Sequence, residues 1–366
     1  MKIPAKFSVL SEMLNPQSLT QVTGSTIPIE SFTKEILETG FSGNLIERLS
    51  LKQNDKEIGA LILKQNETQT SWFAKSTHDD LGREVRFAQS ELWEHLPESI
   101  DSPILATVLW PDNASAILMR DEGSAIFSAS KCYEIAENDT ELLRFIVNAL
   151  ADMHATFWNS PLLEQVPWFT STADSLLYLT LPHLTAAGTD AESIEYGAAA
   201  MRMWNRIWGM LNPETAQIIQ HTIANPEKLL ADIESLPHTL IHGDIWLANL
   251  GIRGEKLLIL DWALVAKGPA LYDPMWLAQT WRAADPQETA EIYRAALVKR
   301  GVTDAQDDTM WALMMDCSIV RSLFTSAEWL AREVVGASTD EEERVALAHI
   351  RYWMARAAEI IAARGW

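Results

Sequence analysis

The stretch Ile241–Pro274, IHGDIWLANLGIRGEKLLILDWALVAKGPALYDP, constrains this chain more than any other. Leu240-Ile241 reads as a short strand that runs into His242-Gly243-Asp244, and Asn249 follows after four residues. Leu250–Ile252 and Lys256–Leu260 read as two strands about the tight turn Arg253-Gly254-Glu255, and Asp261 comes next. Paired strands lie about 5 Å apart, so the residues entering and leaving a hairpin, Asn249 and Asp261, come together. A carboxamide and a carboxylate in one small space are hard oxygen donors of the kind Mg²⁺ takes while sharing phosphate oxygens and keeping waters. Asp244 stands before the loop, where a carboxylate can accept the proton of an attacking hydroxyl. Any one Asp or Asn in a loop is usually a turn former. The joint pattern His-Gly-Asp-x4-Asn, by contrast, arises by chance in roughly one chain per thousand of this length.

The chain has 366 residues, more than one core usually covers, so two lobes are expected. Its formal net charge is −21, with −7 on the first 122 residues and −14 on the remainder. That even spread leaves no basic arm or patch, which argues against nucleic acid or an anionic membrane as a partner. The acidity is read as solubility rather than as a match to a cationic substrate. The two cysteines, Cys132 and Cys317, are too few for a disulfide framework. The first residues lack a continuous apolar core of a signal peptide, and no run reaches the ~18 apolar residues of a membrane span. The cytoplasm is the expected location.

Residues 4–14 read as a short helical lead-in. From Phe32 the text alternates: Phe32–Glu38, Leu45–Leu51 and Ile58–Lys64 are expected strands. They are joined by Gly40-Phe41-Ser42-Gly43-Asn44 and by a polar turn at Gln53–Lys56, as in an antiparallel meander. Glycines at a strand tip let backbone N–H groups approach phosphates, although most such patches are only turns. Thr77–Leu96 reads as one helix with caps at Thr77, Asp79 or Asp80 and with Glu84 early on it. Lys64 closes an apolar strand, and a pair with Glu84 would hold it against phosphates. Lys75 is the competing lysine. Ile104–Trp110 and Ser115–Met119 flank a turn and form a hairpin, and Met119–Gly123 then leaves the sheet as an extended segment able to offer backbone groups to a flat heterocycle.

Beyond Asp139 the pattern is helical. Leu142, Phe145, Ile146, Ala149, Leu150 and Met153 recur at helical spacing, and His154 on that apolar face is assigned to the core. Helical patterns cover Ala191–Met210, Pro213–Ala224, Pro226–Ser235, Asp285–Lys299, Asp304–Val335 and Thr339–Arg364, with Asp304 and Thr339 as expected caps. Trp276, Trp281, Trp311 and Trp329 fall in this region, where a core role is the plainer reading for each. The expected class is α+β in two lobes: an antiparallel sheet with a helix, then a mainly helical lobe with a small β insertion.

Ile241–Pro274 resembles the catalytic segment of the aminoglycoside phosphotransferase/choline kinase family, within the protein-kinase-like fold. His154–Trp158, Pro167-Trp168, LILK and REVRF resemble its ecdysteroid-kinase-like branch. The likeness covers about Phe32 to Trp281 and hardly touches the last 85 residues. It implies a bilobal protein-kinase-like fold with a nucleotide-binding lobe over 1–118, a hinge at 119–123 and a catalytic and substrate lobe over 124–366. It further implies Asp244 as catalytic base, Asn249 and Asp261 as Mg²⁺ ligands, and Lys64 on the ATP phosphates with Glu84 as its partner. Gly40, Ser42, Gly43 and Asn44 would form the phosphate loop, Met119 and Asp121 the adenine hinge. His242 would brace the loop and Asp273 would support it. The sequence departs from the protein-kinase pattern where Trp262-Ala263 replaces Phe-Gly and where the phosphate loop has fewer glycines.

The acceptor is expected to be a small hydroxylated molecule. Gly243 stands where protein kinases carry an arginine, only 11 residues separate Asp261 from Asp273, and no Ala-Pro-Glu follows. A pseudokinase or nucleotide-binding regulatory module, and a protein kinase, are the rival readings. Neither the acceptor nor the oligomeric state is legible in the residues.

Overall fold

The computed structural model describes residues 1, 3–37, 44–66, 71–111, 114–127, 135, 139–164, 166–188, 196–281 and 284–366. The fold is bilobal, α+β and protein-kinase-like, with an N-terminal sheet-and-helix lobe and a mostly helical C-terminal lobe. Two compact units divide the chain. One holds Met1–Ile135, Val166–Phe169 and Trp246–Val265; the other holds Ala136–Gln165, Thr170–Ile245 and Ala266–Trp366.

The first unit is built on a six-stranded sheet of β1 (Ala5–Phe7), β2 (Ser31–Ile36), β3 (Leu45–Gln53), β4 (Lys56–Asn66), β6 (Ile104–Leu109) and β7 (Ser115–Arg120). Their spatial order is β1-β6-β7-β4-β3-β2. All neighbours are antiparallel except β1, which runs parallel to β6. Alternation decides the faces. Leu49, Leu51, Leu61 and Leu63 send their side chains into a core shared with Ala106, Val108, Ala116 and Leu118 and with Met13 and Leu19 from the leading helices. Each such leucine contributes about 1.5–3 kcal/mol relative to exposure. Lys64 is the next residue after Leu63, so its side chain leaves by the opposite face.

Two expectations fail in this unit. The lead-in at 4–14 is a strand followed by helices Leu10–Met13 and Pro16–Thr23, because Ala5 and Phe7 alternate inward about exposed Lys6 and pair with β6. Thr77–Leu96 is not one helix. His78 and Gly82 take left-handed backbone angles (φ 49° and 68°), and the chain forms only Arg83–Ala88 and Glu91–Glu94. The cap position of Arg83–Ala88 is Gly82 rather than Thr77, Asp79 or Asp80 as expected, although Asp79 accepts the Arg83 N–H at 2.9 Å.

A second sheet in this unit carries the hairpin. β9 (Leu250–Arg253) and β10 (Lys256–Ile259) pair antiparallel, and β10 adds β5 (Ile100–Asp101) in parallel. The turn is Gly254-Glu255, with Gly254 at φ 63°. β9 also meets the segment after β7: Gly251 bridges Ile126, and the Phe127 N–H donates to the Leu250 carbonyl at 3.0 Å.

The second unit is helical around a two-stranded antiparallel sheet of β8 (His238–Ile241) and β11 (Ala266–Pro269). Several of its long helices start at side-chain caps. Asp139 begins Thr140–Thr156, Asn212 begins Pro213–Ala224, Asp285 begins Pro286–Lys299, and Thr339 begins Asp340–Arg364. The cap of Asp308–Gly336 is Asp307, which accepts from the N–H groups of Thr309 and Met310, rather than Asp304 as expected. Asp304 lies in a short 3-10 turn and accepts instead from the Trp158 indole N–H at 3.0 Å. Asp308–Gly336 and Asp340–Arg364 pack along each other, with Leu323, Phe324, Ala327, Ile350, Met354 and Ala357 buried. No described helix is long and apolar enough to cross a membrane.

A Cβ built on Gly251 would stand 2.3 Å from the Ala125 carbonyl oxygen, so the hairpin sits against backbone that only glycine allows. Gly251→Ala is expected to cost about 1–3 kcal/mol, read as a lower denaturant midpoint with an unchanged slope.

Candidate active site

In the first unit three ionisable groups from distant parts of the chain meet. Lys64 lies inside the sheet, paired through its backbone with Ile46 on one side and Ile117 on the other. Its Nζ donates to Glu84 Oε2 at 2.8 Å and to Asp261 Oδ1 at 2.7 Å. The lysine and glutamate side chains are buried, while that of Asp261 is 40% exposed. Burial opposes the ammonium charge, but Asp261 and Glu84 together outweigh it and hold Lys64 above the ordinary lysine range. Burial raises the Glu84 carboxyl, and Lys64 acts against that rise. Removing either partner would strand a buried charge, so the grouping fixes geometry more than it adds stability. Lys75, the competing lysine, is exposed on the helix Trp72–Ser76.

The residues after Asp261 are fastened to the helix Arg83–Ala88. Glu84 Oε1 accepts the Trp262 N–H at 3.2 Å, and Arg83 donates to the Ala263 carbonyl at 2.7 Å. Arg83 also donates to the carbonyls of Trp168 and Thr77. Trp262 is fully buried, its ring 4.7 Å from that of Phe87. Where protein kinases place a mobile Phe-Gly, this chain has an indole locked in a core. Arg83 was missed by the sequence reading, although it stands beside Glu84 in the REVRF stretch.

Asp261 itself has left-handed backbone angles, φ 58° and ψ 67°, a conformation uncommon for residues other than glycine, asparagine and aspartate. Asn249 ends the 3-10 turn Leu247–Asn249, and its carbonyl accepts the Leu260 N–H at 2.9 Å. The register Leu250↔Ile259 thus continues outward, and Asn249 and Asp261 flank the open end of the hairpin as expected. A carboxamide and a partly exposed carboxylate form the hard-oxygen donor set that Mg²⁺ takes with one or two carboxylates and its own waters. Among the described residues no group of three or more His, Cys, Asp or Glu is arranged to hold a metal ion.

The nucleotide-binding expectations are placed unevenly. Gly40, Ser42 and Gly43 lie outside the described residues. Asn44 is buried at the start of β3. Met119 is paired with Ile62 and Ile104 within the sheet. The Asp121 carboxylate is engaged by Arg48 at 2.9 Å and by the Gly123 N–H at 3.1 Å.

In the second unit the loop bearing Asp244 is set by Asp273, fully buried in the helix Tyr272–Thr280. Asp273 Oδ2 accepts the His242 N–H at 2.8 Å, and Oδ1 accepts the Gly243 N–H at 2.9 Å. His154 Nε2 lies 3.2 Å from Oδ2, and its Nδ1 meets the Tyr293 hydroxyl. His154 therefore belongs to the core and also supports the loop through Asp273. Burial would raise the Asp273 carboxyl, but His154, His242 and the His242 N–H outweigh it and hold the group below its ordinary range. His242 Nδ1 accepts the Asp244 N–H at 3.2 Å, the bracing expected of it.

A lowered folded-state pKa gives stability that is present above the unfolded value, near 3.8, and is lost as pH falls through the folded one. Asp273→Asn is expected to cost about 2–4 kcal/mol at neutral pH. It should also flatten the loss of stability below about pH 4, read from denaturant midpoints between pH 2 and 7.

The family model described as "Phosphotransferase enzyme family" matches residues 39–306. Among solved structures, a choline kinase from Cryptosporidium parvum Iowa II is 11% identical with a TM-score of 0.50, covering 91% of this chain and 90% of its own. A choline/ethanolamine kinase family protein from Mesorhizobium loti is 11% identical with a TM-score of 0.43, covering 96% and 97%. A thermostable mutant of the aminoglycoside phosphotransferase APH(4)-Ia, in complex with ADP and hygromycin B, is 12% identical with a TM-score of 0.45, covering 94% and 98%. Curated proteins give no match. The choline kinase likeness bears on fold alone, whereas the family model spans well over half of the sequence and includes every described residue of the Lys64 and Asp273 clusters. The chain belongs to the phosphotransferase enzyme family.

Proposed function

We propose that the protein is an ATP-dependent O-phosphotransferase that moves a γ-phosphoryl group to a hydroxyl of a small molecule. The observation that carries the reading is Lys64 held between Glu84 and Asp261, the last of these 197 residues away in sequence. An ammonium has three N–H groups. Among the described residues two are taken by the carboxylates, and the third would serve a phosphate oxygen. Asn249 and Asp261 would hold Mg²⁺, which when bound would neutralise charge on the transferring phosphates.

Asp244 accepts the proton of the acceptor hydroxyl as the oxygen attacks the γ-phosphorus; the bond to the bridging oxygen breaks and ADP leaves. Asp273 and His242 keep the loop that carries Asp244 in one shape. Glu84 and Arg83 do the same for the loop that carries Asp261. With both loops held before substrate arrives, the chain pays little to reorganise during transfer. The small acceptor is favoured by the locked Trp262 and by the 11 residues between Asp261 and Asp273, which leave no room for a switchable activation loop and peptide platform. The finer placing in the ecdysteroid-kinase-like branch is part of the same proposal. It rests on the REVRF and His154–Trp158 stretches, now tied to Arg83, Glu84 and the Asp273 cluster, and it points to polyhydroxylated apolar acceptors for a first screen.

An ATP-consumption screen over hydroxylated metabolites, sterols and antibiotics should find an acceptor. With that acceptor, Asp244→Asn is expected to lose about 10²–10⁴-fold in turnover, while binding of Mg-ATP followed by calorimetry stays close to that of the parent. Undiminished turnover in Asp244→Asn would remove Asp244 from the reaction.

A further inference from the structure

Arg321 sits in the middle of the helix Asp308–Gly336 and is 1% exposed. A guanidinium buried this deeply is ordinarily matched by a carboxylate. Among the described residues, those that Arg321 meets are neutral. Nε donates to the Ser175 carbonyl at 3.3 Å, and Nη2 donates to Ser175 Oγ at 3.4 Å and to the Gly243 carbonyl at 3.1 Å. The guanidinium carbon lies 4.8 Å from the centre of the Tyr272 ring, and among the described residues Nη1 is buried without a hydrogen-bond partner. A methionine would fill similar space without stranding a charge, so stability alone does not account for an arginine here.

The peptide it grips is the one joining Gly243 to Asp244. Gly243 has φ 88°, a conformation open to glycine, whose lack of a Cβ leaves the peptide planes on either side weakly determined by local sterics. Outside bonds must therefore orient them. Asp273 takes the N–H groups of His242 and Gly243, and Arg321 takes the following carbonyl. An anion pulls on the donors and a cation on the acceptor of the same three-residue stretch. Both grips are joined, because Tyr272, which stacks on Arg321, directly precedes Asp273 in the chain. All of these residues lie in one unit.

We propose that Arg321 is a positioning residue for phosphoryl transfer: it fixes the Gly243–Asp244 peptide so that the Asp244 carboxylate is held at one angle for the acceptor hydroxyl. This rests on the reading of Asp244 as the base. Arg321→Lys keeps the charge but replaces a planar fork with a single ammonium that cannot span Ser175 and Gly243 in the same way. Tyr272→Leu removes the ring beneath the guanidinium and leaves Arg321 in place, so it serves where Arg321→Lys does not fold. Tyr272→Phe, which keeps the ring, is the control.

Two readouts are taken on the full chain: basal hydrolysis of Mg-ATP, and amide hydrogen exchange of residues 242–244. In Arg321→Lys, kcat is expected to fall about 10–100-fold with the KM for ATP within about twofold. The loop amides are expected to exchange about tenfold faster while those of the six-stranded sheet do not change. Tyr272→Leu should move both readouts in the same direction by less, and Tyr272→Phe, which keeps the ring, by less than Tyr272→Leu. Parent-like exchange and turnover in Arg321→Lys, or in Tyr272→Leu should the first variant not fold, would overturn the proposal. So would a raised KM with unchanged kcat, which would place Arg321 on nucleotide binding. If the parent protein neither binds nor hydrolyses ATP, the proposed function fails, and the exchange rates of the loop still decide whether Arg321 holds it.

Discussion

A carboxylate buried beyond the reach of water must be satisfied by the chain itself, and Asp273 is the one on which the second unit depends. It is fully buried, yet two backbone N–H groups and an imidazole converge on it. Those bonds determine the path of His242-Gly243-Asp244, and they fix how the helices Tyr272–Thr280 and Thr140–Thr156 must sit for His154 to reach it. The first unit has a counterpart of opposite sign in Lys64. There, too, one buried charge selects its partners from remote sequence and thereby dictates where a helix and a loop must lie. In each unit the apolar core supplies most of the driving force, and the buried ion supplies the uniqueness of the arrangement.

Much of this was legible in the residues because it rests on local periodicity. β3, β4, β6, β7 and the β9–β10 hairpin each announce themselves by alternation and a turn, and a hairpin forces its ends together whatever else the chain does. Asn249 and Asp261 could therefore be joined from the residues alone, and Lys64 could be matched to Glu84 because one reads as the end of a strand, which in fact runs on to Asn66, and the other begins the next helical text. The long helices of the second unit followed from apolar spacing and from Asp, Asn and Thr caps.

What failed had a different origin. The stretch 77–96 has the composition of one helix, but Gly82 and the left-handed His78 break it. The first residues look weakly helical, and a parallel partner at Ala106–Val108, about a hundred residues on, turns Ala5–Phe7 into a strand. Arg83 and Arg321 were illegible for a shared reason. In sequence each is an arginine in a helical text, where the ordinary expectation is a solvated face, and only the carbonyls of Ala263 or Gly243, far along the chain, give it a buried task. Long-range bonds from side chains to backbone leave no periodic trace.

The left-handed backbone at Asp261 carries a consequence for how this position can vary. Chemistry asks for a carboxylate there, to hold Lys64 and, on the proposed function, to meet a cation. Sterics independently ask for a residue that tolerates φ 58°, which disfavours branched and bulky side chains. Two filters acting on one residue leave a very short alphabet. Asparagine passes the steric filter and fails the chemical one, glycine does likewise, and glutamate does the reverse. A lineage drifting away from catalysis would therefore be expected to keep a small turn-forming residue at 261 long after the charge had gone, so that the shape of the loop outlives its use.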